Sequence, residues 1–552
     1  MPMWPKDENG AAMQRMKGFG PALTCVVAIA VLGGLSLARG GLYIDRYEGD
    51  VLHLVEIVVR MAEGQRPHQD FMTPIGILAT WPIAVFVKAG FGIGMSVHWA
   101  QIAVALVLAP AVIWTAVSRF SGVFAHLFAI FCMVLVLALV YGEADPHVSI
   151  SMHYNRWAWA FSFVALALAF LPPLGRDKAM LDGALIGICM ALVILIKVTF
   201  VVALAPGLIV ALVLRGAGRS LLVALGVGTV TLALATLIVG WSFWPAYVGD
   251  LIATATSETR AHPGRPLDQL LTAPMLLGAH LLTLLAVVLL RQGGRPAAGL
   301  SLLVLFPGLV YITYQNFGND PQWLMIASLL LLMVRPDAGT RNAWGWDLRQ
   351  GVGAIACAML AITSPSFMNM VYSPFRHFSD DPSEYVHMFP RSVQHDDIFN
   401  SIKRAYQVTL QIAGEARAGA LERYADLAER GDPTVLLGET LPDCGFQSGF
   451  VATSEATVEA LEAAGYTIGK RIMVADLLSN LPLFSDGIKW VEGGAPWRYD
   501  GAPGIDSAAY VLVPLCAINL AARREILKAI ESRGITLKEV YRDPLFVLLE
   551  KV

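Results

Sequence analysis

Apolar runs of near-constant length recur along this chain, for example at 123–140, 180–196, 221–240 and 275–290. Each is close to the roughly 20 residues that carry an α-helix across a bilayer. Of the 552 residues 56% are hydrophobic and only 15% charged, more apolar than a soluble protein of this size. The first run, 22–38, lacks a small-residue cleavage site and is followed by many others, so it reads as a retained span rather than a signal peptide. A formal net charge of -3 without a basic stripe argues against a nucleic-acid partner. The fold class expected is a multi-pass α-helical membrane protein with roughly 11–13 spans.

Lys and Arg mark the cytoplasmic loops of such proteins. They stand before the first span (Lys6, Arg15, Lys17) and between later runs at Arg119, Arg176/Lys178, Arg215/Arg219, Arg291/Arg295 and Arg335/Arg341/Arg349. With all of these inside, span 22–38 goes out, 155–172 comes in, and 180–213 leaves and returns because both its ends are basic. The spans 221–240, 270–290, 299–314, 323–334 and 351–364 then alternate, ending outside. The run 74–92, rich in Pro and Gly, has no crossing left and reads as re-entrant or interfacial, unless Arg119 is outside. Lys197 falls at the outer turn of the 180–213 hairpin, and the polar segments 141–157, 244–268 and 315–323 fall on the same outer face. Functional residues favour loops held by a rigid scaffold, which places the site there.

The C-terminal third reads as an α/β domain. Residues 396–431 carry Ile398, Ile402, Tyr406 and Leu410 at helical spacing. Strand-like runs at 434–438, 471–475 and 509–514 alternate with helical stretches at 454–465 and 519–533, and the end reads as two strands around Asp543-Pro544. Glycine-rich phosphate loops and zinc signatures are absent from it. The pairs Asp380-Asp381 and Asp396-Asp397 read as loop solvation and as capping before 398 rather than as metal ligands. Cys25, Cys132, Cys189 and Cys357 lie in apolar runs as packing residues, while Cys444 and Cys516 read either as a disulfide or as two separate buried thiols.

One stretch, 41–74, is dense in charge between two apolar runs. It holds Asp45, Glu48, Asp50, His53, Glu56 and Asp70. Carboxylates are expensive next to hydrocarbon, so such a group points to chemistry or ion binding. From Asp50 the pattern is helical: Val51, Leu54, Val55, Val58, Val59 and Ala62 form an apolar face, with His53, Glu56, Arg60 and Glu63 opposite on a face that reads as solvated. Gly64 ends the helix, and the structural reading of Asp50 is a helix cap.

This arrangement resembles the first outer loop of the polyprenyl-phosphate-sugar-dependent glycosyltransferases with the GT-C fold, including the aminoarabinose and protein mannosyltransferase relatives. Asp50 matches the family's Asp, Gly64 its Gly, Pro67 its Pro, Asp70-Phe71 its Asp-Phe, and Pro74 the Pro opening the next apolar run. The family's Glu after the Asp is missing, since Val51 stands there; Glu48 or Asp45 is its counterpart. Ile196-Lys197-Val198-Thr199 resembles the family's Lys-containing turn, and Tyr154-Asn155-Arg156 its Tyr-x-Arg. The resemblance covers about residues 20–330. It implies a transmembrane glycosyltransferase domain over 1–374, with a large first outer loop at 39–73, and a periplasmic α/β domain over 375–552. The implied location is a bacterial inner membrane.

What the resemblance implies fits the residue types. The donor is a sugar on a polyprenyl phosphate, and the acceptor an envelope lipid, polysaccharide or protein. A carboxylate serves as base on the acceptor hydroxyl: Asp50, Asp45 or Glu48. Lys197, Arg156 and Arg260 are placed to stabilise the leaving phosphate. His53, Glu56, Tyr154, Asn316, Asn319 and Asp320 are candidates for substrate contact. Inversion at the anomeric carbon needs one base and no covalent intermediate. No cofactor is required by the residues, and a divalent metal ion stays open. Plainer readings stand beside these: Lys197 snorkelling, Arg156 as an interfacial anchor, Asn316, Asn319 and Asp320 as caps of the short span that follows, and Arg260, His262 and Arg265 in a connecting loop. Two rivals come from other classes, a transporter or flippase and a non-catalytic envelope-assembly subunit.

Overall fold

The computed structural model describes residues 19–257, 259, 267–315, 320–412 and 434–552. Seven of its helices are long and apolar enough to cross a membrane: Phe19–Ala38, Ile93–Arg119, Ala179–Leu214, Gly218–Val239, Met275–Gln292, Pro296–Tyr314 and Leu348–Ser379. Shorter apolar helices lie at Val123–Leu137, His153–Phe170 and Trp323–Met333. The helix His153–Phe170 is buried on every side from Asn155 onward and forms the hub of the bundle. A helix apolar all round needs such a position. At the periphery, Gly218–Val239 exposes Leu222, Leu225, Leu237 and Ile238, an apolar surface that suits lipid rather than water.

The 36-residue segment Ala179–Leu214 is interrupted at Lys197, whose backbone is extended (φ -159°, ψ 99°). Its two arms run in opposite directions. Gly183 packs on Ser220 and Gly187 on Ala224 and Gly228, so the first arm starts beside the start of the next helix. Arg215, at the end of the second arm, donates to the carbonyls of Leu168 (2.7 Å) and Leu171. Both ends of the segment therefore lie at one end of the bundle, with Lys197 at the other, as the basic flanks predict. With this hairpin counted as two crossings, the seven long apolar helices and the three others make eleven among the described residues.

The basic end is tied by Arg119 to Asp182, Trp114 to Asp182 (2.8 Å) and Arg349 to the Pro336 carbonyl (3.0 Å). Arg119 is thus placed with the other basic loops. The segment 74–92 does not cross. It holds only a short turn, Ile77–Ala79, and the eight-residue helix Trp81–Lys88, which reaches about 12 Å at 1.5 Å per residue. Three bonds keep it at the end opposite the basic loops: Gly76 N to the Ile196 carbonyl (3.1 Å), His153 Nε2 to the Ala79 carbonyl (2.6 Å) and Gln394 Nε2 to the Val87 carbonyl (3.0 Å).

At that end the chain adds an α/β layer. Strand Leu42–Ile44 pairs parallel with Ile398–Ser401, which pairs antiparallel with Tyr385–His387, so the first loop and the C-terminal third share one small sheet. A second sheet has the order Leu537–Arg542, Phe546–Lys551, Tyr510–Pro514, Ile472–Val474, with helices Phe450–Ala463 and Leu520–Ser532 packed beside it. Cys444 and Cys516 form a disulfide across 72 residues.

Several expectations need correction. The stretch from Ile398 is a strand, a short helix Ile402–Tyr406 and another strand, Thr409–Ile412; residues 413–433 lie outside the described set. A spacing of four is even, so it puts residues on one face of a strand as well as of a helix. Asp397 does not cap a helix at 398. Its carboxylate accepts from Gly94 N (3.0 Å) and Met95 N (2.7 Å), capping the distant helix Ile93–Arg119. Cys25, Cys132 and Cys189 are buried as expected, but Cys357 is exposed on the apolar surface of its helix.

Gly76 is fixed by the close approach of two backbones. A Cβ there would collide with the carbonyl oxygens of Leu195 and Ile196. Gly76→Ala is expected to destabilise the protein by about 1–3 kcal/mol through overpacking. A thermal unfolding midpoint in detergent equal to the parent's would show that this segment is not held on the hairpin turn.

Candidate active site

The loop helix Glu48–Ala62 is buried along almost its whole length, including His53, Glu56 and Arg60. The face expected to be solvated lies under the C-terminal domain. Glu56 pairs with Arg60 (3.0 Å) and accepts from Ser479 Oγ (3.2 and 3.3 Å). Arg60 reaches the Val491 carbonyl (3.2 Å) and lies 4.7 Å from the Trp490 ring centre. Trp490 Nε1 donates to Glu63 (2.8 Å), and Arg404 grips Glu48 with two bonds of 2.6 and 2.8 Å. Hydrophobic periodicity alone cannot tell a solvated polar face from one covered by polar partners.

Between this helix, the hairpin turn and the C-terminal domain lies a cavity of about 900 Å³. Asp50, His53, Tyr154 and Lys197 line it. Ser151 Oγ donates to Asp50 Oδ2 (2.8 Å). Burial pushes the Asp50 carboxyl above the usual carboxylate range, and the Ser151 hydroxyl opposes that rise. Burial also pushes His53 down to about 3, so its imidazole is neutral at physiological pH. Its ring stands 5.4 Å from that of Trp497. Lys197 Nζ donates to Asn155 Oδ1 (2.8 Å) and lies 5.2 Å from the Tyr154 ring centre.

The helix break brings Lys197 here. An interrupted helix leaves carbonyls without partners, and hydrocarbon offers none. Gly76 N takes the Ile196 carbonyl (3.1 Å) and Tyr247 Oη the Ile194 carbonyl (3.2 Å). The same break turns Val198, Thr199 and Val202 into the apolar wall of the cavity, with Tyr311 and Tyr314 beside them. Val202 is 66% and Tyr311 48% exposed on the outer surface of the helices, so the cavity meets the surface that lipid would cover.

The other candidates among the described residues sit elsewhere. Arg156 does not line the cavity. It is fully buried and donates to the Ala138 carbonyl (2.7 Å), at the C-terminal end of helix Val123–Leu137. Asp45 lies in a separate, half-buried group, where desolvation raises it to about 6, with His147 opposing and Asp380 adding. Glu48 and Glu56 serve the docking of the C-terminal domain. Asp320 holds the 141–147 loop through Glu143 N (3.3 Å). Arg260, His262, Arg265, Asn316 and Asn319 lie outside the described residues. Among the described residues no group of three or more His, Cys, Asp or Glu is placed to hold a metal ion.

The cavity also has residues that sequence reasoning missed. Trp497, Arg498 and Tyr499 line it from the C-terminal domain, with Leu477 and Asn519. Their signal was a cation between two aromatics inside the Gly/Pro-rich run 493–504, far from the first loop in sequence. The Glu56–Arg60 pair that seats this domain is the test of how it is held. Arg60→Ala leaves a buried carboxylate without its partner and is expected to cost about 3–5 kcal/mol. Replacing both residues with apolar ones of similar volume should recover most of the loss, as read from unfolding midpoints.

No family model matches the chain, and no curated protein does. Among solved structures it is similar to ArnT from Cupriavidus metallidurans in the apo state, at 12% identity and a TM-score of 0.39, over 95% of this chain and 97% of that one. It is also similar to the same organism's ArnT bound to undecaprenyl phosphate, at 13% identity and a TM-score of 0.34, over the same shares.

Proposed function

We propose that this chain is an integral-membrane glycosyltransferase that moves a sugar from a polyprenyl-phosphate donor to an envelope acceptor on the periplasmic face of a bacterial inner membrane. The observation that carries the reading is the meeting of Asp50 and Lys197 in one cavity that borders the lipid-facing surface. The family resemblance implies this chemistry for both, Asp50 through the first loop and Lys197 through the turn Ile196–Thr199. A donor with a prenyl tail and a phosphate needs an apolar approach ending at a cation.

In the proposed step, an acceptor hydroxyl attacks the anomeric carbon. Its proton passes to the Asp50 carboxylate as the new C–O bond forms. The bond from that carbon to the phosphate oxygen breaks, and the electron pair leaves with the polyprenyl phosphate beside Lys197. Configuration inverts in a single displacement. The raised affinity of Asp50 for a proton suits a base, because it increases the driving force for taking one. Neutral His53 and Tyr154 line the cavity and are the proposed contacts for sugar hydroxyls. The basic loops at the far end and the Cys444–Cys516 disulfide at the near end support a periplasmic site. The transporter reading fits less well: the helix break lies at the turn of a hairpin rather than at mid-membrane.

Four expected outcomes check this reading. A phosphatase fused after Val552 should be active and a cytoplasm-dependent reporter silent; the reverse would invert the orientation. Asp50→Asn should lower transfer by about 10²–10⁴-fold, the range of general-base catalysis, while donor binding survives. The base works only when ionised, so activity should fall as pH drops through the raised Asp50 value. Ser151→Ala removes a bond that favours the ionised form, and the acidic limb of the rate profile should move to higher pH. Unchanged transfer by Asp50→Asn, with the sugar product followed by mass spectrometry, would remove the catalytic assignment.

A further inference from the structure

Arg498 is the cation of this cavity that nothing among the described residues accounts for. The residue is 2% exposed, and none of its three guanidinium nitrogens has a hydrogen-bond partner among the described residues. It lines the cavity between Trp497 and Tyr499. The neighbouring carboxylates are committed elsewhere. Glu56 is bound by Arg60 and Ser479. Asp476 accepts from the backbone N–H groups of Leu477 (2.7 Å), Ile518 (2.6 Å) and Asn519 (3.0 Å). Both attract Arg498 only at a distance, and Arg60 repels it.

A buried guanidinium carries five N–H donors, and leaving charged donors unmade is among the costlier things a fold can do. Such a cost is sustained where a ligand supplies the missing acceptors. The planar fork of an arginine matches two oxygens of one anion. Lys197 stands on the membrane side of the same cavity and Arg498 on the side of the C-terminal domain.

We infer that Arg498 binds a phosphoryl oxyanion of a substrate in this cavity, so that the C-terminal domain supplies part of the binding site rather than only a cover. The inference rests on the proposed function for its site but not on the identity of the base. Two substrates could carry the phosphoryl group: the polyprenyl phosphate itself, or the acceptor when the donor is already in place.

The test uses the full chain in lipid nanodiscs, with polyprenyl phosphate, polyprenol and inorganic phosphate as probes. Arg498→Gln should weaken polyprenyl phosphate binding about 10- to 100-fold, the size of one or two charge-assisted hydrogen bonds, and leave polyprenol binding unchanged. Arg498→Lys should keep part of the affinity through its charge. If polyprenyl phosphate binds normally to Arg498→Gln, but inorganic phosphate no longer binds to the lipid-loaded protein, the oxyanion is carried by the acceptor. If both bind as in the parent, the inference is overturned. Stability separates binding from architecture. Arg498→Met removes an unpaired buried charge, so without ligand its unfolding midpoint should equal or exceed the parent's. A clear drop would make Arg498 a structural residue and overturn the inference. Asp50→Asn gives the independent reading: loss of transfer with intact lipid binding supports the catalytic scheme whether or not Arg498 binds an anion.

Discussion

Breaking a helix beside hydrocarbon leaves carbonyl groups that water cannot reach, and one end of this molecule is organised around such a break. At Lys197 the hairpin Ala179–Leu214 reverses. The freed carbonyls of Ile194 and Ile196 are taken by Tyr247 Oη and Gly76 N. Those partners come from two different segments, the helix Phe243–Ala255 and the loop that returns from the first outer helix. Satisfying the break therefore assembles the cavity. The segments that repair the backbone are neighbours of those that form the walls, and Lys197 is presented at their junction. The same need explains why 74–92 stays at this end despite its apolar composition. It is used as a partner for the break, not as a span.

The second constraint is the burial of the first outer helix on both faces. Its apolar face joins the bundle core through Val51, Leu54, Val55 and Val58. Its polar face meets the C-terminal domain through Glu48, Glu56, Arg60 and Glu63. An exposed ion pair is worth little, whereas breaking a buried one is strongly destabilising because a lone charge remains. The Glu56–Arg60 pair, at 1% exposure for each side chain, is of the second kind. It makes the docking of the C-terminal domain specific, since a displaced domain would leave Ser479 and the Val491 carbonyl away from their partners. Asp50 sits at the open end of this clamped helix, held in position by elements on both sides.

Much of this architecture was legible in the sequence because lipid imposes simple rules. Run length gave the spans, and the basic flanks of 180–213 predicted a hairpin with Lys197 at its turn. Most helices and strands after residue 434 followed from alternation and turn residues, but the strands Glu439–Thr440 and Cys444–Ser448 did not. What escaped was whatever depends on a distant partner. The polar face of Glu48–Ala62 has the same pattern whether water or Arg404 and Trp490 lie opposite. Ile398, Ile402, Tyr406 and Leu410 fit a helix or a strand equally, and pairing with Leu42–Ile44 decided for the strand at the first of them. Arg156 carries the residue types of a phosphate contact but lies behind the cavity, at a helix end. Arg498 was invisible because its meaning lies in what it does not touch.

Desolvation gives the cavity its chemical character, and it acts on both charge types at once. The low-dielectric wall that raises the proton affinity of Asp50 by desolvation would also strengthen the attraction between a cation and an anionic ligand. It neutralises His53, which leaves an imidazole able to hydrogen-bond without adding a third cation to the site. A carboxylate and two cations line one pocket together with aliphatic and aromatic side chains. The proposed substrate is divided in the same way, with an apolar tail, an anionic phosphate and a neutral, hydroxyl-bearing sugar. The proposal therefore draws on the apolar lining of the cavity as well as on the charged pair Asp50 and Lys197 that carries it.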